Sequence, residues 1–283
     1  MTRSLLTVAQ CRTITDAARI LNVTQPALSR RIQQLEDNFG VALFERSRKG
    51  MTLTEMGRMA VREGALLVER YDRLKDDVRS VASVDQGRIS VGGGATAISY
   101  LVPSAIATFS AVHPNIRFHV KEAGSDEIEA DVISERLELG LVTLPIQSRE
   151  LSVRPLKQDH IVLIASRRHR LSAKGRVSPS ELSGEAFVAF EARSAIRELI
   201  DRSLQGADIR MDVVMELRSI PAMIRMVETT HNLAFVSALA VGPATPDVVI
   251  LKVRGLSIKR RLGIITKRDR ALSPAAQRFS RML

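Results

Sequence analysis

Residues 13–55, TITDAARILNVTQPALSRRIQQLEDNFGVALFERSRKGMTLTE, constrain this chain more than any other stretch. Ala17, Ala18 and Leu21 form one short apolar stripe after Thr15, an expected N-cap, and Asn22 tolerates the left-handed conformation that would end the helix. A second helix follows at once. Thr24 is its expected cap, Pro26 sits in the first turn where a missing N–H costs nothing, and Leu28, Ile32, Leu35 and Phe39 recur at helical spacing on a core-facing side. Two short helices joined this tightly form a helix-turn-helix.

The other side of the second helix presents Pro26, Arg30, Gln33 and Asp37, with Gln25, Ser29 and Gln34 on its flanks. These groups hydrogen-bond to base edges or phosphates, so the helix has the chemistry of a major-groove reader. After Gly40, two extended runs flank a turn at Lys49-Gly50, placing Arg46, Arg48 and Lys49 along a phosphate backbone. The same pattern also fits a solvated basic hairpin beside a surface helix, and the motif alone leaves that alternative open.

The run AARILNVTQPALSRRIQQLEDNFGVALFERSRKGMTLTEMG resembles the N-terminal winged helix-turn-helix of LysR-type transcriptional regulators over some forty residues. The length and layout of the remainder fit that family too. The resemblance implies an all-α winged helix-turn-helix head with a long linker helix, followed by a C-terminal α/β region of two subdomains resembling periplasmic solute-binding proteins. It also implies double-stranded DNA and a small-molecule effector as partners, and it carries Thr24 into the DNA-contacting set with the helix and hairpin residues above.

At 283 residues the chain has room for one small and one larger domain, and its 45% hydrophobic content is ordinary for a globular protein. The net charge of +11 is unevenly divided. Residues 1–54 carry 8 basic against 4 acidic side chains, residues 55–85 carry 6 against 7, and residues 86–283 carry 28 against 20. Most of the excess therefore lies outside the helix-turn-helix. Charge is weaker support for DNA binding than the motif, but the +8 of the C-terminal region makes an anionic small molecule the first candidate effector.

Cys11 is the only cysteine, which excludes an intrachain disulfide, a Cys-based zinc site and a paired-thiol peroxide switch. No apolar segment follows Arg3, so no secretory signal is expected. Residues 89–116 are uncharged but interrupted by Gly92-Gly93-Gly94, Pro103 and Pro114, which argues against a membrane span. A cytoplasmic location follows as an expectation.

From residue 54 or 55 to about 84 there is no proline, and Gly57, Ala60, Gly64, Leu67, Tyr71, Leu74, Val78 and Val81 alternate three and four apart. That is a coiled-coil seam, which predicts dimerisation through one long helix, with the small residues letting two backbones approach. A helix packed on its own domain is the alternative. Pairing would fix two reading heads for a pseudo-palindromic operator. The resemblance extends this to a homodimer or homotetramer and allows contact with RNA polymerase.

The expected divisions are a DNA-binding domain at 1–54, a linker helix at 55–84, a hinge at 85–88 and an effector domain at 89–283. Within the last, strands are expected at 88–91, 116–120, 139–143, 161–165, 186–190, 213–216, 233–236 and 262–266, and helices at 99–111, 125–138, 195–205 and 221–229. This alternation argues for an α/β architecture. By resemblance, subdomain I takes about 89–160 and 267–283, and subdomain II about 161–266.

In open α/β sheets, ligands gather where strands end and helices begin. Four such turns, at 93–96, 124–125, 192–194 and 218–221, make Thr96, Ala97, Ser125, Arg193, Ser194 and Ser219 candidate effector contacts, with Thr143 and Leu144 lining the cleft. Thr96, Ser125 and Ser194 match effector-contacting positions of the family by resemblance. Each hydroxyl is also a good helix cap, so capping alone would explain any one of them.

The triple glycine fails the dinucleotide fingerprint, since Ala97 stands where its third glycine belongs. Residues 228–233, ETTHNL, depart from the family by lacking a glycine pair, with Asn232 the expected left-handed residue and effector chemistry near His231 unusual. The five histidines have no metal-ligand spacing, and no nucleophile elbow, phosphate loop or paired catalytic carboxylates occur. The expectation is a ligand-responsive, sequence-specific DNA-binding regulator with no catalytic residues, metal or cofactor. The alternative is an enzyme or solute-binding module fused to a DNA-binding head.

Overall fold

The computed structural model describes the chain except for Arg12, Arg48, Lys49, residues 83–86 and Arg193, and gives only the backbone of residues 46, 47, 50, 73 and 76–82. Two compact units result, Met1–Val78 and Arg79–Leu283.

In the first unit, α1 (Thr2–Gln10), α2 (Ile14–Ile20) and α3 (Gln25–Phe39) precede a hairpin of β1 (Phe44–Ser47) and β2 (Gly50–Leu53) and the long helix α4 (Glu55–Ala82). Val8, Ala17, Ala18, Leu28 and Ile32 form its core, with Cys11 packed against them. The cap of α2 is Thr13, whose hydroxyl accepts the Asp16 N–H, and not Thr15. Asn22 is left-handed as expected, with φ 51°. Gly40, with φ 69°, ends α3, and the Glu36 carboxylate accepts the Leu43 and Phe44 N–H groups at 2.7 and 3.1 Å, which fixes the turn into the hairpin. Phe39 departs from the expected buried stripe: it lies in the last turn, beyond the reach of the core, and is 57% exposed.

The small residues at the start of α4 face their own chain. A Cβ on Gly57 would lie 2.0 Å from the Leu43 carbonyl oxygen, and one on Gly64 would lie 2.9 Å from Thr2 Cγ2. Ala60 packs on the cluster of Leu5, Leu35 and Leu43. The close approach expected between two chains at these three positions is thus made within one chain, because α4 must dock on the helix-turn-helix to hold it. Further along, Leu67, Tyr71 and Leu74 are 63%, 59% and 57% exposed. The Val78 and Val81 side chains lie outside the described residues.

The second unit contains β3 (Gly87–Gly93), α5 (Ala95–Tyr100), α6 (Val102–Val112), β4 (Ile116–Glu122), α7 (Ser125–Ile133), β5 (Leu139–Leu144), β6 (Leu151–Ser166), β7 (Arg176–Val177), β8 (Ala186–Phe190), α8 (Ala195–Gln205), β9 (Asp212–Leu217), α9 (Ile220–Thr230), β10 (Leu233–Ser237), β11 (Val248–Val253), β12 (Ile258–Lys267) and α10 (Pro274–Met282). Several boundaries differ from expectation, three of them at single residues. Pro103 lies in the first turn of α6 and splits the expected helix in two. Glu135 turns left-handed, with φ 62°, and ends α7 early. Gly87 and Arg88, assigned to a hinge, already belong to β3, and the other two hinge positions lie outside the described residues.

The strands order as β4-β3-β5-β12-β6-β10-β8-β9, with β11 also pairing with β6. Around β3 the neighbours β4 and β5 run parallel, as do β8, β9 and β10 further along. The long antiparallel pair β6 and β12 runs through both groups. One lobe's core gathers Ile89, Leu139, Ile264 and the T-shaped contacts of Phe109, Phe118 and Phe279, the last contributed by α10. The other gathers Leu163, Phe187, Ile224, Phe235 and Ile258. The second crossover therefore lies inside β12, between Ile258 and Ile264, and not after residue 266.

Gly92 is required by packing, since a Cβ there would meet Leu137 at 2.4 Å and Ile128 at 2.7 Å.

Candidate DNA-reading helix and effector cleft

On α3, Leu28, Ile32 and Leu35 are buried, which turns Thr24, Gln25, Pro26, Arg30, Gln33 and Gln34 outward, with Ser29 half-buried. Thr24 caps by backbone position, without a side-chain bond. Gln25 donates weakly to the Ser29 hydroxyl at 3.4 Å, and Gln33 donates to Asp37 at 3.1 Å, so these amides are aligned along the helix surface. Arg30 has no ion pair among the described residues, leaving a guanidinium fork free for a base edge or phosphate. The Arg46 side chain, Arg48 and Lys49 lie outside the described residues.

In the second unit, a cavity of about 330 Å³ opens where the two lobes meet. The turn after β3 supplies Thr96 and Ala97, the turn after β4 supplies Ser125, and β5 supplies Thr143; from the other lobe come Phe190, Ser194 and Arg218. The first turns of α7 and α8 face it, so free backbone N–H groups line its wall. Ser194 both caps α8, accepting the Arg197 N–H at 3.3 Å, and lines the cavity. Ser125 accepts the Thr143 N–H at 3.4 Å, tying α7 to β5.

Arg260 on β12 forms the floor. It is 8% exposed, beside Asp159 at 2%. Its Nε and Nη2 donate to Asp159 Oδ2 at 2.8 and 2.7 Å, and the Ser237 hydroxyl donates to Asp159 Oδ1 at 2.7 Å. From the same guanidinium, Nη2 donates to Thr96 Oγ1 at 2.6 Å and Nη1 reaches Thr143 Oγ1 at 3.4 Å. Burial pulls the guanidinium below its ordinary pKa, opposed by the charge and hydrogen bonding of Asp159. A buried charge needs such a partner. Arg260 consequently ties the crossover strands β6 and β12 to the Thr96 and Thr143 hydroxyls.

The rim carries more ions. Glu191 pairs with Arg218 at 2.5 Å, and Glu127 pairs with Lys121 at 2.7 Å. Lys121 also holds the buried Asp131 at 2.5 Å, and hydrogen bonds to both carboxylates raise its pKa.

Residues 2–58 match the family described as bacterial regulatory helix-turn-helix protein, lysR family, and residues 82–283 match the LysR substrate binding domain. The chain belongs to the LysR family of transcriptional regulators. It is 30% identical over 283 residues to the uncharacterized HTH-type transcriptional regulator YbhD of Escherichia coli (strain K12), covering 99% of this chain and 89% of that one. Full-length CbnR complexed with its target DNA shares the fold with a TM-score of 0.80 at 21% identity, over 100% of this chain and 98% of that one. The regulatory domain of CcmR from Synechocystis PCC6803, in complex with 2-PG, aligns with a TM-score of 0.63 at 24% identity, over 69% of this chain and 95% of that one.

In this LysR-type regulator the effector candidates divide. Thr96, Ala97, Ser125, Thr143 and Ser194 surround the cavity. Leu144 and Ser219 do not line it. Leu144 packs against the Ile128 and Val142 cluster, and Ser219 caps α9 by accepting the Ala222 N–H at 3.4 Å. Arg193 lies outside the described residues. Position 231 is the left-handed residue after α9, with φ 60° at His231, so that role falls one residue before Asn232.

Arg260 was missed by sequence reasoning. A signal existed: Ile258, Arg260 and Leu262 alternate with Lys259 and Arg261, and a strand begun at 258 rather than 262 turns Arg260 inward with its two apolar neighbours.

Proposed function

We propose that this regulator reads double-stranded DNA with α3 and adjusts that reading when a small molecule occupies the cleft between the sensor lobes. Gln25, Arg30, Gln33 and Gln34 carry the base and phosphate contacts, with Thr24, Pro26 and Ser29 beside them and Arg46, Arg48 and Lys49 in the wing. The effector contacts Thr96, Ala97, Ser125, Thr143, Ser194 and Arg260. Occupancy of one lobe-bridging site biases the relative disposition of the lobes, and that bias reaches the reading heads.

The observation that carries this reading is Arg260, a buried cation whose hydrogen bonds run from Asp159 on one side to Thr96 and Thr143 on the other. A ligand group that replaces either threonine at the guanidinium changes how the crossover strands hold the lobe. Leu67, Tyr71 and Leu74, exposed on one stripe of α4, support a homodimer seam, with tetramers and RNA polymerase contact as further assembly. No helix of the described residues is long and apolar enough to cross a membrane, in keeping with action in the cytoplasm. The regulator acts by binding and not by catalysis.

The test is substitution of Thr96 by Leu. Filling the floor should abolish the effector-dependent change in operator affinity while the variant still binds operator DNA. A response that survives removes the cleft from the account.

A further inference from the structure

We infer that the effector is an amphoteric small molecule of the α-amino-acid class, with one carboxylate at the cleft floor and a cationic nitrogen at Glu122 and Asp126. The inference rests on the cleft reading above and sharpens it.

The positive balance of the sensor region is not found at the cavity. Its described lining holds four carboxylates, Glu122, Asp126, Glu127 and Glu191, against two guanidiniums, Arg218 and Arg260. Both guanidiniums are already matched: Arg260 by Asp159 and Arg218 by Glu191. Lys121, behind the rim, matches Glu127 and Asp131. Glu122 and Asp126 are left, exposed at the mouth on either side of the turn between β4 and α7, with no ion pair among the described residues.

The floor is suited to one anionic group and no more. Arg260 directs four of its five N–H groups to Asp159, Thr96 and Thr143, so a ligand carboxylate at the floor meets one remaining Nη1 N–H and the threonine hydroxyls rather than a spare positive charge. The α7 N-terminus, which would otherwise favour a second anion, already carries the negative charges of Asp126 and Glu127 in its first turn, which offset the attraction of its free N–H groups. A second ligand carboxylate or phosphate would face Glu122 and Asp126, where like charges repel. An ammonium or guanidinium there completes the charge pattern. The cavity of about 330 Å³ is at the small end of ligand sites, which suits a molecule of amino-acid size.

The experiment is calorimetric titration of the full-length protein with the twenty common L-amino acids, each paired with the same acid lacking the α-amino group, and with succinate, citrate and 2-phosphoglycolate as polyanions. At least one amino acid should bind roughly tenfold or more tighter than its des-amino partner, the ratio expected for one ion pair at a partly desolvated mouth. The E122Q/D126N double variant should lose that preference. If no amino acid binds, or if des-amino acids or polyanions bind the wild type as tightly, the class assignment is overturned. Thr96→Leu separates the two failures: any probe bound in its presence as in wild type lies outside the cleft, which sinks the cleft reading itself.

Discussion

Replacing Gly57 by Ala puts a methyl group into a backbone contact that the fold cannot relieve by rotating a side chain. The added Cβ would sit 2.0 Å from the Leu43 carbonyl oxygen and 2.9 Å from its carbon. Ordinary contacts need about 3.5 Å, so α4 and the loop before β1 must separate by more than about 1 Å. That oxygen also accepts the Thr54 N–H at 3.0 Å, and the shift stretches this bond. Overpacking costs about 1–3 kcal/mol and the weakened bond about 0.5–1.5 kcal/mol, against about 1 kcal/mol gained from better helix propensity. The net loss is about 0.5–3.5 kcal/mol. Gly64→Ala is the internal control, because its Cβ meets the end of the Thr2 side chain at 2.9 Å, which can turn away. That variant should be neutral, or gain up to about 1 kcal/mol. Native-state hydrogen exchange at the amides of Leu28, Ile32 and Leu35 reads both: protection falls roughly twofold or more in Gly57→Ala and holds or rises in Gly64→Ala. The reasoning is refuted if Gly57→Ala keeps wild-type protection, or if Gly64→Ala is the more damaging.

Three other outcomes follow from the geometry of the protein. Asp159→Ala leaves the buried Arg260 guanidinium without its carboxylate and should cost about 3–5 kcal/mol in urea denaturation, with part recovered in the Asp159→Ala/Arg260→Met double variant; a loss under about 1 kcal/mol would contradict the network. The Glu181 carboxyl is held down to about 2, from 4.5, by the Lys174 ammonium first and then by the Ser178 N–H and hydroxyl. A depressed folded pKa stabilises above the unfolded value and is lost as pH falls from about 4.5 towards 2, so Glu181→Gln should flatten the decline in melting temperature across that window, and an unchanged slope would count against the assignment. On the proposed α4 seam, Leu67→Glu with Leu74→Glu should shift the protein from dimer to monomer in sedimentation, and a dimer that persists would place the seam elsewhere.

The chain displayed its reading helix openly, because a fifteen-residue amphipathic pattern from Gln25 to Phe39 is fixed by local spacing and by Pro26 and Gly40 at its ends. Strands 186–190 and 233–237 were legible for the same reason: continuous apolar runs bounded by turns. What escaped depends on residues far apart. Arg260 and Thr96 are 164 positions apart, and no local period brings them together. The seam small residues, Gly57, Ala60 and Gly64, carried a spacing that two different partners satisfy, and only the fold shows that Leu43, Leu5 and Thr2 of the same chain meet them. The first half of β6 was hidden because Pro155 and the charged residues around it break the apolar pattern, while pairing with β12 supplies its hydrogen bonds. The charge balance does not locate charge: residues 86–283 carry an excess of basic side chains, while the described cavity lining holds four carboxylates and two guanidiniums.

The central claim is a DNA-reading head governed by a ligand cleft. Its most direct measurement is selection of genomic fragments by the full-length protein at moderate salt, followed by footprinting of wild type and Arg30→Ala. The expected result is enrichment of fragments with two protected half-sites, and weaker binding by Arg30→Ala with a salt slope lower by about one. Retention of fragments no better than competitor DNA, or an Arg30→Ala variant that binds like wild type, would contradict it.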